Sequence, residues 1–308
     1  MIRCLVVGFV VVAYSFTPLP VRGEEKKSWV GKMIMAKNAG IKILNTDEYD
    51  QTRYVATLTD ILYTVGGEQG GLIEVRERGV SGWFAKKNAV LLEDAITYFT
   101  ARIRQNKKDA YAYACRGTAR KMKEAYDDAL KDYNEAIRLE PDSAAWFVHR
   151  GTVWEAKKDY DQALKDYDEA IRLDHRSVYA FNNRGNVRVA RKEYGKALKD
   201  YDEAVRLDPK YAYGYSNRAW LRATCSDAKY RDGRKAVESA RTACDLTGWK
   251  DANTIDTLAA AYAESGQFDE AVKWQMKSLE LLGPAGKTAT AYRQRLKIYQ
   301  DHKPYREG

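Results

Sequence analysis

Histidine and cysteine are scarce in this chain of 308 residues, which contains three histidines and four cysteines. His149, His175 and His302 have no other His or Cys at the spacing of metal ligands, and the HExxH motif is absent. A GxSxG motif is absent too, and the glycine-rich VGGEQGG at 65–71 suits a hairpin tip rather than a phosphate loop. We therefore expect no enzyme activity, no cofactor and no metal site.

Long hydrophobic runs are absent beyond the N-terminus. There, Arg3 precedes an apolar stretch at 4–14, Pro18 and Pro20 follow it, and Val21-Arg22-Gly23 resembles a cleavage site. The pattern predicts an export signal at 1–23. An uncleaved anchor is the alternative, although the stretch is shorter than the roughly 20 residues that a membrane span needs. We expect a periplasmic or secreted protein with no integral membrane span after cleavage.

A block of one charge is also missing. Removing residues 1–23 lowers the formal net charge from +9 to +7, because only Arg3 and Arg22 are lost and no acid is. The remaining basic residues are scattered among acids and do not form the stripe with interleaved aromatics that nucleic-acid binding favours. We expect no nucleic-acid partner.

What the sequence does contain is a repeat of 34 residues. Five columns recur at this spacing: Gly117, Gly151 and Gly185; Arg116, Arg150, Arg184 and Arg218; Ala129, Ala163 and Ala197; Tyr133, Tyr167 and Tyr201; Ala136, Ala170 and Ala204. Independent columns that share one period indicate stacked structural units rather than chance.

The pattern resembles the tetratricopeptide repeat (TPR), a unit of two antiparallel helices, A and B. Repeats one to three lie at 110–143, 144–177 and 178–211, the fourth begins at 212 with about five extra residues within 225–233, and the fifth lies at 252–285. Ala95 and Phe99 are in register with repeat one, so we expect a linking and capping helix at 91–109. A capping helix and tail at 286–308 end the array.

Cys115, Cys225 and Cys244 remain once the signal is removed. Cys225 lies near the end of helix A in repeat four, and Cys244 lies about 15 Å along helix B at 1.5 Å per residue. Buried free thiols are therefore favoured, and a disulfide between Cys225 and Cys244 is the alternative in an oxidising compartment.

Residues 24–90 differ in character from the repeats. Short β-branched or aromatic runs separated by Gly and Asn predict about five strands. The ending GVSGWFAKKNAV, with Gly82-Trp83 as its most specific part, resembles a bacterial SH3-like domain. The expected fold is α+β and multidomain, a small all-β SH3-like barrel followed by an all-α TPR solenoid. The resemblance implies binding residues among Tyr49, Tyr54 and Trp83, although Trp83 also suits a packing role.

The acid-rich motif DYDEAIRLD at 166–174 recurs in each of the first three repeats in closely related form. Asp166 and Asp168 lie about 200° apart around a helix and cannot share a ligand or a proton. We expect ion pairs from Asp168 to Arg172 and from Glu169 to Lys165, and hypothesise a contact between Asp166 and Arg150.

The TPR resemblance implies that binding residues lie at positions 2, 5, 9, 12 and 13 of each helix A, facing a concave groove. The candidates are Tyr111, Thr118, Met122, Thr152, Glu155, Tyr179, Asn182, Asn186, Tyr213, Ser216 and Trp220. A wall of Tyr, Asn and small apolar residues suits an extended peptide or a helix of a protein partner. We expect a non-catalytic interaction scaffold. The alternative is a cell-wall (peptidoglycan) binding accessory of an envelope enzyme.

Overall fold

The computed structural model describes residues 28, 32–38, 42–45, 53–57, 62–77, 80–283 and 286–307. The predicted signal at 1–23 and Tyr49 lie outside these residues, and of Tyr54 only the backbone is described. Within the described residues, no helix combines the length and the apolar character that crossing a membrane requires.

In the described residues before the helices, seven short strands form an antiparallel sheet, where the sequence predicted about five. They are β1 (Met33–Ala36), β2 (Lys42–Asn45), β3 (Arg53–Thr57), β4 (Leu62–Gln69), β5 (Leu72–Glu77), β6 (Val80–Ala85) and β7 (Ala89–Leu91). Gly70 and Gly71 have φ of +58° and +81° in the turn between β4 and β5. The hairpin predicted for 65–71 is therefore confirmed, but its tip is confined to these two glycines, because 65–69 belong to β4.

The sheet is open within the described residues, so the predicted SH3-like barrel is not confirmed. The strand order is β3-β2-β6-β5-β4-β1-β7, and a closed barrel would need pairing between β3 and β7 at its two ends. Strands β1, β4, β5 and β7 share a core of buried apolar residues: Ile34, Ala36, Tyr63, Val65, Ile73, Val75 and Ala89.

Twelve α-helices follow in the described residues and confirm the all-α solenoid. They are α1 (Leu92–Gln105), α2 (Ala110–Met122), α3 (Tyr126–Leu139), α4 (Ala144–Ala156), α5 (Tyr160–Leu173), α6 (Val178–Ala190), α7 (Tyr194–Leu207), α8 (Ala212–Thr224), α9 (Gly233–Leu246), α10 (Ala252–Glu264), α11 (Phe268–Leu282) and α12 (Lys287–Gln300). Helices α2, α4, α6, α8 and α10 occupy the helix A positions of the five repeats, and the next helix in each case is helix B. The recurring alanine and tyrosine of helix B are buried, as in Ala163 and Tyr167.

Repeat four contains the longer turn. Helix α8 ends at Thr224, a short 3₁₀ helix spans Ala228–Tyr230, and α9 begins at Gly233. The Asp232 side chain accepts a hydrogen bond from the Lys235 N–H and so caps α9. Cys115, Cys225 and Cys244 are buried free thiols.

The acid motif belongs to the scaffold, and one of its predicted pairings is confirmed. Arg150 bonds to Asp166 through two hydrogen bonds of 2.6 and 2.9 Å. The predicted pair of Asp168 and Arg172 is wrong, because Asp168 pairs with Arg184 of the next repeat at 2.6 Å. The predicted pair of Glu169 and Lys165 is wrong too, because Glu169 pairs with Arg172. Asp168 therefore links consecutive repeats, which a pattern within one helix does not indicate.

The sheet packs directly on the first helices of the array. Met35 and Val90 share one buried core with Phe99, Ala112 and Tyr133. The Tyr111 hydroxyl donates to the Ala36 carbonyl oxygen at 3.0 Å, and Arg102 donates to the Lys37 carbonyl oxygen. The junction is thus a packed interface rather than a free linker.

Candidate functional site

A groove of about 790 Å³ lies on the concave side of repeats one to four. Helices α2, α4, α6 and α8 supply most of its lining, together with Tyr133 of α3, the turn before α6 and Tyr211 before α8. Seven of the residues predicted for the groove line it: Thr118, Met122, Thr152, Tyr179, Asn182, Asn186 and Tyr213. Lys121, Ala145 and Val148, at equivalent helix A positions, line it too.

Four predicted residues lie elsewhere, each for a local reason. Tyr111 is held against β1 by its bond to Ala36. Glu155 accepts a hydrogen bond from the Tyr167 hydroxyl at 3.0 Å. The buried Ser216 hydroxyl bonds to Thr257 at 3.1 Å. The Trp220 indole donates to Glu307 at 2.9 Å. Each of these four side chains is therefore bonded to another part of the chain.

Sequence reasoning missed about half of the lining. The missed residues are Tyr133, Ala144, His149, Asp174, Arg176, Ser177, Val178, Asn183, Tyr211 and Asn217. Asp174, Arg176 and Ser177 belong to the turn between α5 and α6, which the helix A positions leave out. Tyr211 precedes α8 directly. Aromatic and polar residues next to the start of a helix A are the signal that identifies such positions.

A carboxamide network lies at the centre of the groove. Asn217 donates to Asn182 at 2.9 Å and to Asn186 at 3.2 Å, and the Tyr201 hydroxyl donates to the same Asn186 oxygen at 2.8 Å. Asn182 is only 4% exposed, so its orientation is fixed by packing as well. The Asn186 amide nitrogen has no hydrogen-bond partner within the described part of the chain, which leaves a donor for a ligand.

Three tyrosine rings stand beside this network. Tyr179 and Tyr211 meet edge to face with centroids 5.6 Å apart, and Tyr211 and Tyr213 lie 6.1 Å apart. Tyr213 is 37% exposed, which makes it the most accessible of the three. At the other end of the groove Met122 is 44% exposed. The surface therefore offers apolar area with polar groups nearby, as peptide-binding grooves do.

The charges around the groove are of both signs. Lys121 donates to the Thr152 hydroxyl at 2.8 Å, and Asp174 and Arg176 lie together in the turn before α6. Burial raises the pKa of Glu155 above its usual range, and it also raises the pKa of Tyr133, which bonds to Thr118 at 2.7 Å. Within the described residues, no group of three or more His, Cys, Asp or Glu is placed to hold a metal ion.

Comparison with known families agrees with this architecture. Residues 117–175, 178–211 and 252–282 match models described as tetratricopeptide repeat. These three segments of the helical array are tetratricopeptide repeats. No curated protein gives a significant match to the sequence.

Several solved structures share the fold of the helical array at low sequence identity. A tetratricopeptide repeat protein from Parabacteroides merdae is 17% identical with a TM-score of 0.54, covering 68% of this chain and 81% of its own. PilF from Pseudomonas aeruginosa is 18% identical with a TM-score of 0.52, over 63% and 86% of the two chains. Yeast Tom70 is 18% identical with a TM-score of 0.55, over 67% and 43%. These similarities concern the TPR fold alone.

Proposed function

We propose that the protein is a non-catalytic interaction scaffold whose TPR groove binds an extended peptide segment of a protein partner. The observation that carries this proposal is the network of Asn182, Asn186 and Asn217 beside the tyrosine rings in a groove of about 790 Å³.

The carboxamides suit the backbone of the peptide. Each Asn side chain carries donors and an acceptor, and a peptide backbone presents the complementary groups at every residue. Because Asn217 and Tyr201 hold the Asn186 oxygen, the Asn186 nitrogen is directed by existing bonds rather than by the ligand. Fixing a donor beforehand reduces the entropy cost of binding. Tyr179 and Tyr213 then contact apolar side chains of the peptide.

The proposal also includes export and a second binding site. Export to the periplasm or beyond rests on the pattern of residues 1–23. The N-terminal sheet, with its SH3-like ending, is the second module, and the half-buried Trp83 on β6 is its candidate residue. Binding of peptidoglycan by this sheet is the alternative function, carried by the resemblance of Gly82-Trp83 to SH3-like domains.

Selection from a displayed peptide library tests the groove proposal. The purified chain is used to select peptides, and affinities are then compared among the wild type, a Tyr179→Ala/Asn186→Ala variant and a Trp83→Ala variant. We expect the groove variant to lose about tenfold or more in affinity, because losing a hot-spot contact and a buried hydrogen bond costs about 1–3 kcal/mol each. The Trp83→Ala variant should bind as the wild type does.

The opposite pattern supports the alternative. Loss of binding with Trp83→Ala alone, together with co-sedimentation of the wild type with peptidoglycan, assigns binding to the sheet. Substrate turnover by the purified chain contradicts both binding functions.

A further inference from the structure

The C-terminal segment, residues 303–307, returns to the helical array after α12 and lies against helices α8 and α10. The Glu307 N–H donates to the Thr224 carbonyl oxygen at 2.9 Å, and Arg306 donates to the Ala223 carbonyl oxygen at 3.3 Å. Arg306 also pairs with Glu264 at the end of α10 at 2.5 Å. The segment therefore bridges the C-terminal ends of the A helices of repeats four and five.

Trp220 is the centre of this contact. Its indole N–H donates to the Glu307 carboxylate at 2.9 Å, and the Tyr305 ring lies 5.9 Å from it between centroids. The Arg295 guanidinium of α12 lies over both rings, 5.3 Å from Trp220 and 5.4 Å from Tyr305. A 2.9 Å ion pair with the buried Asp256 holds Arg295 in place.

The contacted residues occupy the groove positions of repeat four. Trp220, Ala223 and Thr224 are its positions 9, 12 and 13. At position 9 of the first three repeats stand Thr118, Thr152 and Asn186, all of which line the open groove. The lining reaches Tyr213 and Asn217 in α8 but does not include Trp220. The segment thus occupies the continuation of the peptide groove.

We propose that repeats four and five form a second peptide-binding site, which the chain's own Tyr305-Arg306-Glu307 fills as an intramolecular ligand. The chemistry of the site defines its ligand class. It takes a short segment with an aromatic residue for Trp220 and Arg295, then a basic residue for Glu264, then an acid for the Trp220 N–H. A partner segment of this aromatic–basic–acidic pattern competes with the chain's own residues.

The nature of the contacts allows such exchange. Residues 304–307 are partly exposed, and none of them is fully buried. Part-buried hydrogen bonds, one ion pair and the packing of the Tyr305 ring beside Trp220 hold them. Segments with few buried apolar contacts open at low free energy compared with a core helix. The site itself is held by Arg295 and Asp256, which belong to α12 and α10 and stay in place when the segment leaves.

Competition with a synthetic peptide tests the proposal in the full chain. The probe is a fluorescein-labelled, C-terminally amidated peptide with the sequence of residues 301–308, DHKPYREG. We expect a Tyr305→Ala/Glu307→Ala variant to bind it about tenfold or more tightly than the wild type does. The reason is that the tethered wild-type segment competes at a millimolar effective concentration.

Two controls define the result. Lys303→Ala changes an exposed residue of the same segment and should bind the probe as weakly as the wild type. Adding Trp220→Ala to the double variant should abolish the gain. Equal binding to the wild type and the double variant, no binding to the double variant, or a gain in affinity that survives Trp220→Ala each overturns the proposal.

Hydrogen exchange is a second measurement. It uses the wild-type chain, so it does not depend on whether a variant folds. The Glu307 amide should be protected, because it bonds to Thr224, and excess probe peptide should remove the protection. An unprotected Glu307 amide, or protection that the probe does not change, contradicts the proposal. Neither experiment uses a ligand of the groove in repeats one to four, so failure of groove binding and failure of this site are distinguishable.

Discussion

At the residue scale, glycine at position 8 sets how closely the two helices of a repeat approach. A Cβ added at Gly151 or Gly185 would lie 2.6 Å from the tyrosine ring of helix B, Tyr167 or Tyr201. Real Cβ atoms essentially never approach so closely, so a larger residue forces the ring or the helix to move. The sequence column of glycines therefore has a direct steric cause.

Gly151→Ala should destabilise the array. We expect a loss of about 1–3 kcal/mol in the free energy of unfolding, because overpacking a close contact displaces the buried Tyr167. Urea denaturation followed by circular dichroism measures it. Gly195→Ala in α7 is the matched control, since its Cβ would lie 3.4 Å from Tyr230 and alanine favours a helix over glycine. Equal losses in the two variants would contradict the steric explanation.

The residue types of the repeat predicted some of its ion pairs correctly and others wrongly. The recurring Arg and Asp columns motivated the contact between Arg150 and Asp166, which the structure confirms at 2.6 Å. The prediction that Asp168 pairs with Arg172 was wrong, because Asp168 pairs with Arg184 of the next repeat. Spacing within one helix predicts neighbours on that helix, whereas a solenoid places the next repeat equally near.

At the scale of elements, the sequence predicted the extra residues in the turn of repeat four, and a side-chain cap marks where the next helix begins. In repeat four the alanines of helix B come about five residues later than the repeat pattern requires, which indicates a longer turn. Asp232 precedes α9, and its side chain accepts a hydrogen bond from the Lys235 N–H at 3.0 Å. The turn itself contains a 3₁₀ helix that the repeat pattern gives no means of predicting.

Asp232→Ala should weaken the start of α9. We expect a loss of about 1 kcal/mol, because an uncapped helix N-terminus leaves a backbone N–H unsatisfied. The measurement is hydrogen exchange in the first turn of α9 together with the denaturation midpoint. Ser143→Ala is the control, since Ser143 precedes α4 without a side-chain cap bond and should change stability far less. Unchanged exchange in α9 would show that the cap does not stabilise the helix.

At the scale of the whole molecule, the sheet and the first repeat form one packed unit. Met35 of β1 is fully buried in the core that contains Phe99, whereas Val65 belongs to a separate core within the sheet. The resemblance to SH3-like domains and TPR arrays suggested two modules in sequence. It gave no means of predicting that Tyr111 bonds to Ala36 of the sheet and does not line the groove.

Met35→Ala should therefore loosen the sheet and the start of the array together. We expect a loss of about 2–5 kcal/mol at this core position, with faster hydrogen exchange in α1 and α2 as well as in β1. Val65→Ala should accelerate exchange in the strands only. Peptide-resolved hydrogen exchange separates the two results, and faster exchange in α1 and α2 in both variants would show that the two cores are not independent.

The sequence by itself determined the repeat, its period and the positions of the helices, because close helix packing requires the same small and aromatic residues every 34 positions. Only the tertiary structure decided which groove positions are open. Tyr111 bonds to a residue 75 positions away, and Trp220 bonds to one 87 positions away. Contacts over such separations depend on how the sheet and the C-terminal segment fold back onto the array, and a repeat pattern contains no information about segments outside it.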